Sequence, residues 1–416
     1  MIRYPEWKSA PENLLNHKIP GLFAGRQNTQ NFKGEVKMAE QYPYDPWQKC
    51  HTRSGIAADL VISAVQKEIR RNHPENAVTL AYDMFSTSPD LEDYLWYRLK
   101  TISVEDIGFG NVEAPILIGI LDQMRKTVTH TGDRGLLAVH AVRFLCQCEK
   151  DRSSDEMYNW IMKEYKRGNL RPQIPEYAYD KHTLIGQQKG SDEMYFYTTS
   201  SKVCPEWEGR DRTYRNRVME ILKEDPETAS PYAYDPYQKD QTISGLATDL
   251  VVSAVQKEIR RGHEENAATL AYEMLITSPY MEDYLWFRLK TISVEDVGMA
   301  NTKAPELIGT LDQMRRTIKQ DGDRGLFAIH AVRYLCKSLK DRSSDEMYNW
   351  VMKEYKRGNL KPEIPDYAYD KHTKIGQERG RDEMYFYTTS SQVSPEKADR
   401  DRTYRERVMK ILQEQN

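Results

Sequence analysis

The stretch Ala58–Met84 reads ADLVISAVQKEIRRNHPENAVTLAYDM. With Ile56 just ahead of it, Leu60, Val61, Ala64, Val65 and Ile69 recur at three- and four-residue spacing, and Lys67, Glu68, Arg70 and Arg71 fall between them. One apolar stripe on a charged cylinder is the pattern of an amphipathic helix with one side to bury. Pro74 suits the first turn of a second helix, predicted over roughly 75–85, because proline lacks the N–H that a first turn leaves unbonded.

The segment SPDLEDYLWYRLKTI continues the pattern. Ser88 or Asp90 is placed to cap a third helix, Glu92 and Asp93 suit its positive end, and Leu91, Leu95, Trp96 and Leu99 form its buried face. Further helices are predicted over roughly 111–127, with Pro115 early, over 132–148, and over 153–167, the last capped by Ser153, Ser154 or Asp155 and stopped by Gly168. NLRPQIPEYAYDKHTLIGQQKG and DEMYFYTTSS then lose the helical period and fill with Tyr and Pro. An ordered irregular tail pinned by aromatics is expected there, with a short hairpin as an option, followed by a closing helix over roughly 213–223. The fold class is mainly α, a helical bundle or collar with such a tail.

The pattern returns after 190 residues. YDPWQK (Tyr44–Lys49) reappears as YDPYQK (Tyr234–Lys239), DRSSDEMYNW (Asp151–Trp160) as Asp341–Trp350, and DEMYFYTTSS (Asp192–Ser201) as Asp382–Ser391, with about 70% identity and no gap. This period is too long for a solenoid unit, so each copy is expected to be a domain with its own core. The predicted organisation is an N-terminal extension over residues 1–41, extended or disordered for want of apolar periodicity, then tandem helical collar-like domains over 42–225 and 226–416. EDPETASPYA (Glu224–Ala233) is read as the linker between them.

Sixty Lys and Arg against 63 Asp and Glu leave a net charge of −3. There is no global field to steer the chain onto nucleic acid or anionic lipid, and contact with either would need a local patch. No apolar run spans a bilayer and the opening MIRYPEWKSAPENLL lacks a secretory core, so a cytoplasmic protein without membrane contact is expected. The five cysteines include three, Cys50, Cys148 and Cys204, replaced in the second copy by Asp240, Ser338 and Ser394, which argues against a disulfide framework or a zinc site.

KEIRRNHPENA (Lys67–Ala77), RLKTISVEDIG (Arg98–Gly108) and the later GNLRPQIPEYAYDKH and GSDEMYFY occur in that order. In this they resemble the C-terminal region of the replication-associated recombination protein A and Werner helicase-interacting ATPase family, clamp-loader-like AAA+ proteins. The family motif positions are Glu105, Asp106 and Gly108, returning as Glu295, Asp296 and Gly298. In that family this region is the oligomerisation collar, so the resemblance implies assembly and partner binding. Nowhere in these residues is there a GxxxxGK followed by Ser or Thr, so the loop that would cradle a triphosphate is missing and no cofactor is expected.

Adjacent carboxylates such as Glu105 and Asp106 can serve acid and base roles or hold a metal, but they also suit a turn cap, the reading preferred here; no catalytic residue and no metal are assigned. His73, His140 and His182 recur as His263, His330 and His372, and the apolar neighbours of His140 mark it as a core histidine. Tyr179, Asp180 and His182, with Tyr369, Asp370 and His372, make a polar aromatic setting for which packing of the tail is the preferred reading and a small-molecule or catalytic pocket the alternative. Lys67, Arg70 and Arg71, Lys163, Lys166 and Arg167, and their counterparts Lys257, Arg260, Arg261, Lys353, Lys356 and Arg357 form basic helix ends. These suit the helix dipole, and could also give weak, sequence-independent nucleic-acid binding. The leading expectation is a non-enzymatic assembly module with protein partners, itself or a replication or repair ATPase, as an oligomer or pseudo-dimer.

Overall fold

Helices begin where the apolar stripes begin. The computed structural model describes residues 46–229, 237–318 and 320–415, so the expectation for residues 1–41 and the last part of the linker lie outside the described residues. The first half holds α1 (Ala58–Arg70), α2 (Pro74–Thr87), α3 (Pro89–Ile102), α4 (Ala114–Thr127), α5 (Thr131–Gln147) and α6 (Ser153–Arg167). Its tail carries two short helices, α7 (Leu184–Gln188) and α8 (Glu193–Tyr195), before the closing helix α9 (Thr213–Glu224). The second half has the same order: α10 (Thr248–Arg261), α11 (Glu264–Thr277), α12 (Pro279–Ile292), α13 (Ala304–Arg316), α14 (Asp321–Lys337), α15 (Ser343–Arg357), α16 (Lys374–Glu378), α17 (Glu383–Tyr385) and α18 (Thr403–Gln415). The protein is mainly α, with no strand among the described residues.

Local chemistry sets the boundaries. Ser88 caps α3 as expected, its hydroxyl accepting from Leu91 N at 3.2 Å, and Gly168 ends α6 in the left-handed region at φ 82°. Two expectations are corrected. Asp151, ahead of the three residues proposed as caps, does the work at the start of α6: its carboxylate accepts from Ser153 N at 2.8 Å. The optional hairpin in the tail is a π-helical turn instead, Phe196–Ser200, which keeps its backbone bonds local.

α1 to α5 bury Val61, Val65, Ile69, Leu95, Trp96, Leu99 and Leu145 in one core, each aliphatic side chain contributing roughly 1.5–3 kcal/mol. A second core, around Trp286, Leu289, Phe327 and Leu335, does not stop at the second half. It includes Ile161 from α6 and Ala178 from the first half's tail. Val104 and Ile116 join it too, so the first half packs against its successor through the turn after α3 and through α4 as well as from Ser153 onward.

The turn joining α3 to α4 shows why one glycine is needed. α3 runs into a π-helical turn, Ser103–Ile107, and Gly108 follows at φ 50°. A Cβ there would press into the carbonyl oxygen of Asp151, whose own N–H donates to Asp106 O at 3.0 Å. Gly55 has a similar φ of 78° but open space around it. Gly108→Ala should therefore cost about 2 kcal/mol or more, and Gly55→Ala about 1. Equal shifts of the two variants in a denaturant melt would contradict the close approach.

Candidate interface between the two halves

Each half is tied by one buried ionic knot built from the SVEDIG motif. The π-helical turn carries Asp106 to the face of α1, where the carboxylate accepts from Arg70 Nε at 2.6 Å, Gln66 Nε2 at 2.8 Å and Arg152 Nη1 at 2.5 Å. In the second half Asp296 accepts from Arg260 at 2.6 Å, Gln256 at 2.8 Å and Arg342 at 2.5 Å. Glu105 and Glu295 sit at the rim and bond Arg152 and Arg342 at 3.0 and 3.1 Å. Burial alone would raise the Asp296 carboxyl, but Arg260 and Arg342 hold it well below the carboxylate range. The paired carboxylates are thus not the turn cap read from the sequence. They are anchors for two arginines, and a carboxylate held this acidic is a poor general base.

Around the second knot the first half's tail closes over the second half's leading helices. Arg260 Nη1 donates to Ser200 O at 2.8 Å, and Arg261 Nη2 to Thr199 O at 2.7 Å, with its guanidinium 3.6 Å from the centre of the Tyr177 ring. The Tyr177 hydroxyl donates to Glu258. Lys257 Nζ lies 2.8 Å from Asp180, a carboxylate that burial would raise and that Lys257 and His182 together hold well below its ordinary range. Ser253 Oγ donates to Ala178 O at 2.7 Å, and Leu184 N to Asp249 at 2.7 Å. Further along, Lys353 Nζ donates to Glu193 at 2.9 Å, Arg210 pairs with Glu346, and the backbones of Pro205, Trp207 and Lys340 exchange two bonds at 2.9 and 3.0 Å. α6 meanwhile lies on α11 and α14. There Ser154 Oγ bonds His330 Nδ1 at 3.0 Å, Arg333 donates to Ser153 and Ser154 at 2.9 and 3.0 Å, and Tyr165 bonds Glu273.

This arrangement redistributes the residues singled out from the sequence. Lys257, Arg260 and Lys353 are buried in the joint and offer no face to a phosphate. Arg261 is half-buried, stacked on Tyr177, and Arg70 is spent on Asp106. Lys67 and Arg71, along with Lys163, Lys166, Arg167, Lys356 and Arg357 at the ends of α6 and α15, are exposed; Arg167 pairs with Glu164 at 2.6 Å and Arg357 with Glu354 at 2.8 Å. In the Tyr179, Asp180 and His182 group, Asp180 is enclosed in the joint. His182 Nδ1 lies 3.1 Å from Asp180, as His372 Nδ1 lies 3.2 Å from Asp370, and Lys189 and Arg379 sit over the rings of Tyr179 and Tyr369. A shallow cleft of about 330 Å³ opens elsewhere, between Arg171 and Gln173 and the start of α11. His140 is exposed, contrary to its reading as a core histidine, whereas its counterpart His330 is fully buried beneath Ser154 and Phe109. Sequence reasoning missed Glu258 and Arg333 and gave Ser154 only a local capping role, because their partners lie far along the chain and leave no local signal.

His330 gives the joint a pH dependence. Its Nε2 has no hydrogen-bond partner among the described residues, and burial, then the charge of Arg333, pushes the imidazole down to about 4. An unfolded histidine titrates near 6.5. As pH falls from about 6.5 toward 4 the unfolded chain therefore takes up the proton first, and folded stability is lost across that window. Asp345, raised by burial to about 6, contributes with the opposite sign, so the His330 share is a difference between two proteins. The unfolding midpoint of His330→Asn should fall less between pH 6.5 and 5 than that of the parent. Parallel pH profiles would mean that the imidazole is not held neutral in the fold.

Residues 262–409 match a family model described as the C terminal of the MgsA AAA+ ATPases. No curated protein and no solved structure matches the chain. The matched span begins where α10 ends and runs through α11 to α15, the second tail and most of α18, so it holds Asp296 and Arg342 of the knot, but not Gln256 and Arg260, together with the helices α11, α14 and α15. Over residues 262–409, then, the second half of this chain is similar to the C-terminal region of the MgsA AAA+ ATPases.

Proposed function

We propose that the chain is a non-enzymatic assembly module: two fused copies of the collar region of a clamp-loader-like ATPase, which bind further collar regions as a partner, regulator or decoy in DNA replication or repair. A cytoplasmic setting belongs to the same proposal. The observation that carries it is the joint itself. Many of the buried bonds between the halves seat one half's tail on the next half's head, with Ile161 and Ala178 buried as core residues of the neighbour. An interface with a dry apolar centre, aromatic anchors and enclosed charge pairs has the anatomy of stable association. The family match supports the reading, because a C-terminal region of an AAA+ ATPase is compatible with an interaction role.

Nucleotide and metal chemistry find less support. Among the described residues no group of three or more His, Cys, Asp or Glu side chains converges as metal ligands would. No helix among them is long and apolar enough to cross a membrane. Phosphate binding loses its strongest patch, since Lys257 and Arg260 are enclosed. Isothermal titration with the purified C-terminal region of an MgsA-type ATPase tests the proposal, and micromolar or tighter binding, about −8 kcal/mol, is expected. Absence of heat and of any complex at roughly 100 μM would remove it.

A further inference from the structure

We propose that the first half's tail holds a binding site for a phosphate dianion, free or carried as a monoester, in a cleft that only the joint between the halves completes. The cleft measures about 280 Å³. Its lining includes Ser201 and Lys202, which follow the π-helical turn, then Glu206 and Arg210, and finally Arg212 and Arg215 at the start of α9. Of these, the assembly reading uses only Arg210. Charge is unbalanced in the cleft. Four cationic side chains line it against one carboxylate, Glu206, which is already divided between Arg210 Nη1 at 2.6 Å and Arg212 Nη2 at 2.5 Å. Arg215 donates to a neutral acceptor, Tyr197 O, at 2.8 Å, and Lys202 is exposed.

Arg210 is the built-in anchor. Its side chain is 5% exposed and takes a second carboxylate, the fully buried Glu346 of α15, yet its Nε has no hydrogen-bond partner among the described residues. A buried donor without an acceptor costs stability until one arrives. Counting Glu346 as well, four cations face two carboxylates, and the surplus matches the charge of about −1.5 to −2 on a phosphate monoester at pH 7. Planar guanidinium groups fit phosphate oxygens two at a time, and Arg212 and Arg215 stand at the positive end of the α9 dipole. The joint sets this geometry, because Glu346 belongs to the second half and Lys340 bonds the backbones of Pro205 and Trp207 at 2.9 and 3.0 Å. The second half supplies an internal control. Ser391, Glu396, Arg400, Arg402 and Arg405 repeat the lining 190 residues on, with Gln392 in place of Lys202. There the Arg400 side chain is 35% exposed and its guanidinium pairs with Glu396 alone among the described residues. Side chains that must be ordered on binding give weaker sites than side chains already held.

Isothermal titration of the full chain at constant ionic strength, with inorganic phosphate in one arm and glycerol phosphate in another, tests the site. One site per chain with a dissociation constant of roughly 1 mM or tighter is expected. Equal affinities identify free phosphate as the ligand, and tighter monoester binding identifies an organic phosphate. The double variant Lys202→Gln with Arg212→Gln changes two exposed residues, so it should keep the parent's helical content by circular dichroism and bind at least about tenfold more weakly. Arg210→Gln should abolish binding, but it strands Glu346, so the exposed pair is the deciding variant. Gln392→Lys should leave the stoichiometry at one, and Lys166→Gln, outside the cleft, should leave the affinity unchanged. Absence of saturable heat up to roughly 10 mM phosphate, or parent-like binding by the folded double variant, would overturn the proposal. So would two sites per chain, which would mean that the joint does not build the site, or a weakening by Lys166→Gln, which would mean diffuse attraction by charge. An oligonucleotide without terminal phosphates that binds as tightly as the monoester would also overturn it, because the cleft would then be reading a phosphodiester backbone.

Discussion

A carboxylate withdrawn from water costs several kcal/mol unless charge and hydrogen bonds replace its hydration. Asp106 and Asp296 are both fully buried, and both are repaid by two arginines and a glutamine amide. The arginines come from different elements, one from the leading helix of the half and one from the residue just before α6 or α15. The knot therefore fixes the angle at which the chain leaves the bundle, and with it the direction in which the tail can travel. Removing the Asp296 carboxylate would strand two buried guanidinium groups, a loss of the order of 3–5 kcal/mol.

The same knot couples fold to association. Arg260 divides its donors between Asp296, within its own half, and Ser200 O, from the other half's tail. Phe196 packs against both Arg260 and Arg342, with guanidinium centres 5.6 and 5.5 Å from its ring. The second head is thus completed by a segment from outside it, and Arg260 and Arg342 are almost wholly buried where Arg70 and Arg152 keep partial exposure. One sequence in two contexts shows how much of the burial belongs to the interface.

That comparison also explains which readings failed. His140 and His330 share nearly the same local sequence, yet one faces solvent and the other lies under Ser154. Local periodicity places both on the apolar side of a long helix, and nothing in it says whether a neighbour arrives. Lys257 and Lys67 diverge for the same reason: a basic helix end is a solvated patch until Asp180 and the tail cover it. The capping of α6 by Asp151 was misread for a smaller reason, since DRSSD offers several side chains able to cap and only the backbone path selects among them.

Helix positions, the stop at Gly168, the Ser88 cap, the repeat and the family motifs were all legible in the sequence. Each rests on spacing within about four residues, or on matching one stretch of sequence with another, and neither depends on what packs where. The tertiary structure alone decided that SVEDIG is the seat of a two-arginine knot and that the first half's irregular tail packs on the next half. Those outcomes depend on contacts between residues 35 to 180 positions apart. Their energy comes from desolvating charges and filling a shared core, and a linear pattern does not record which surfaces will meet.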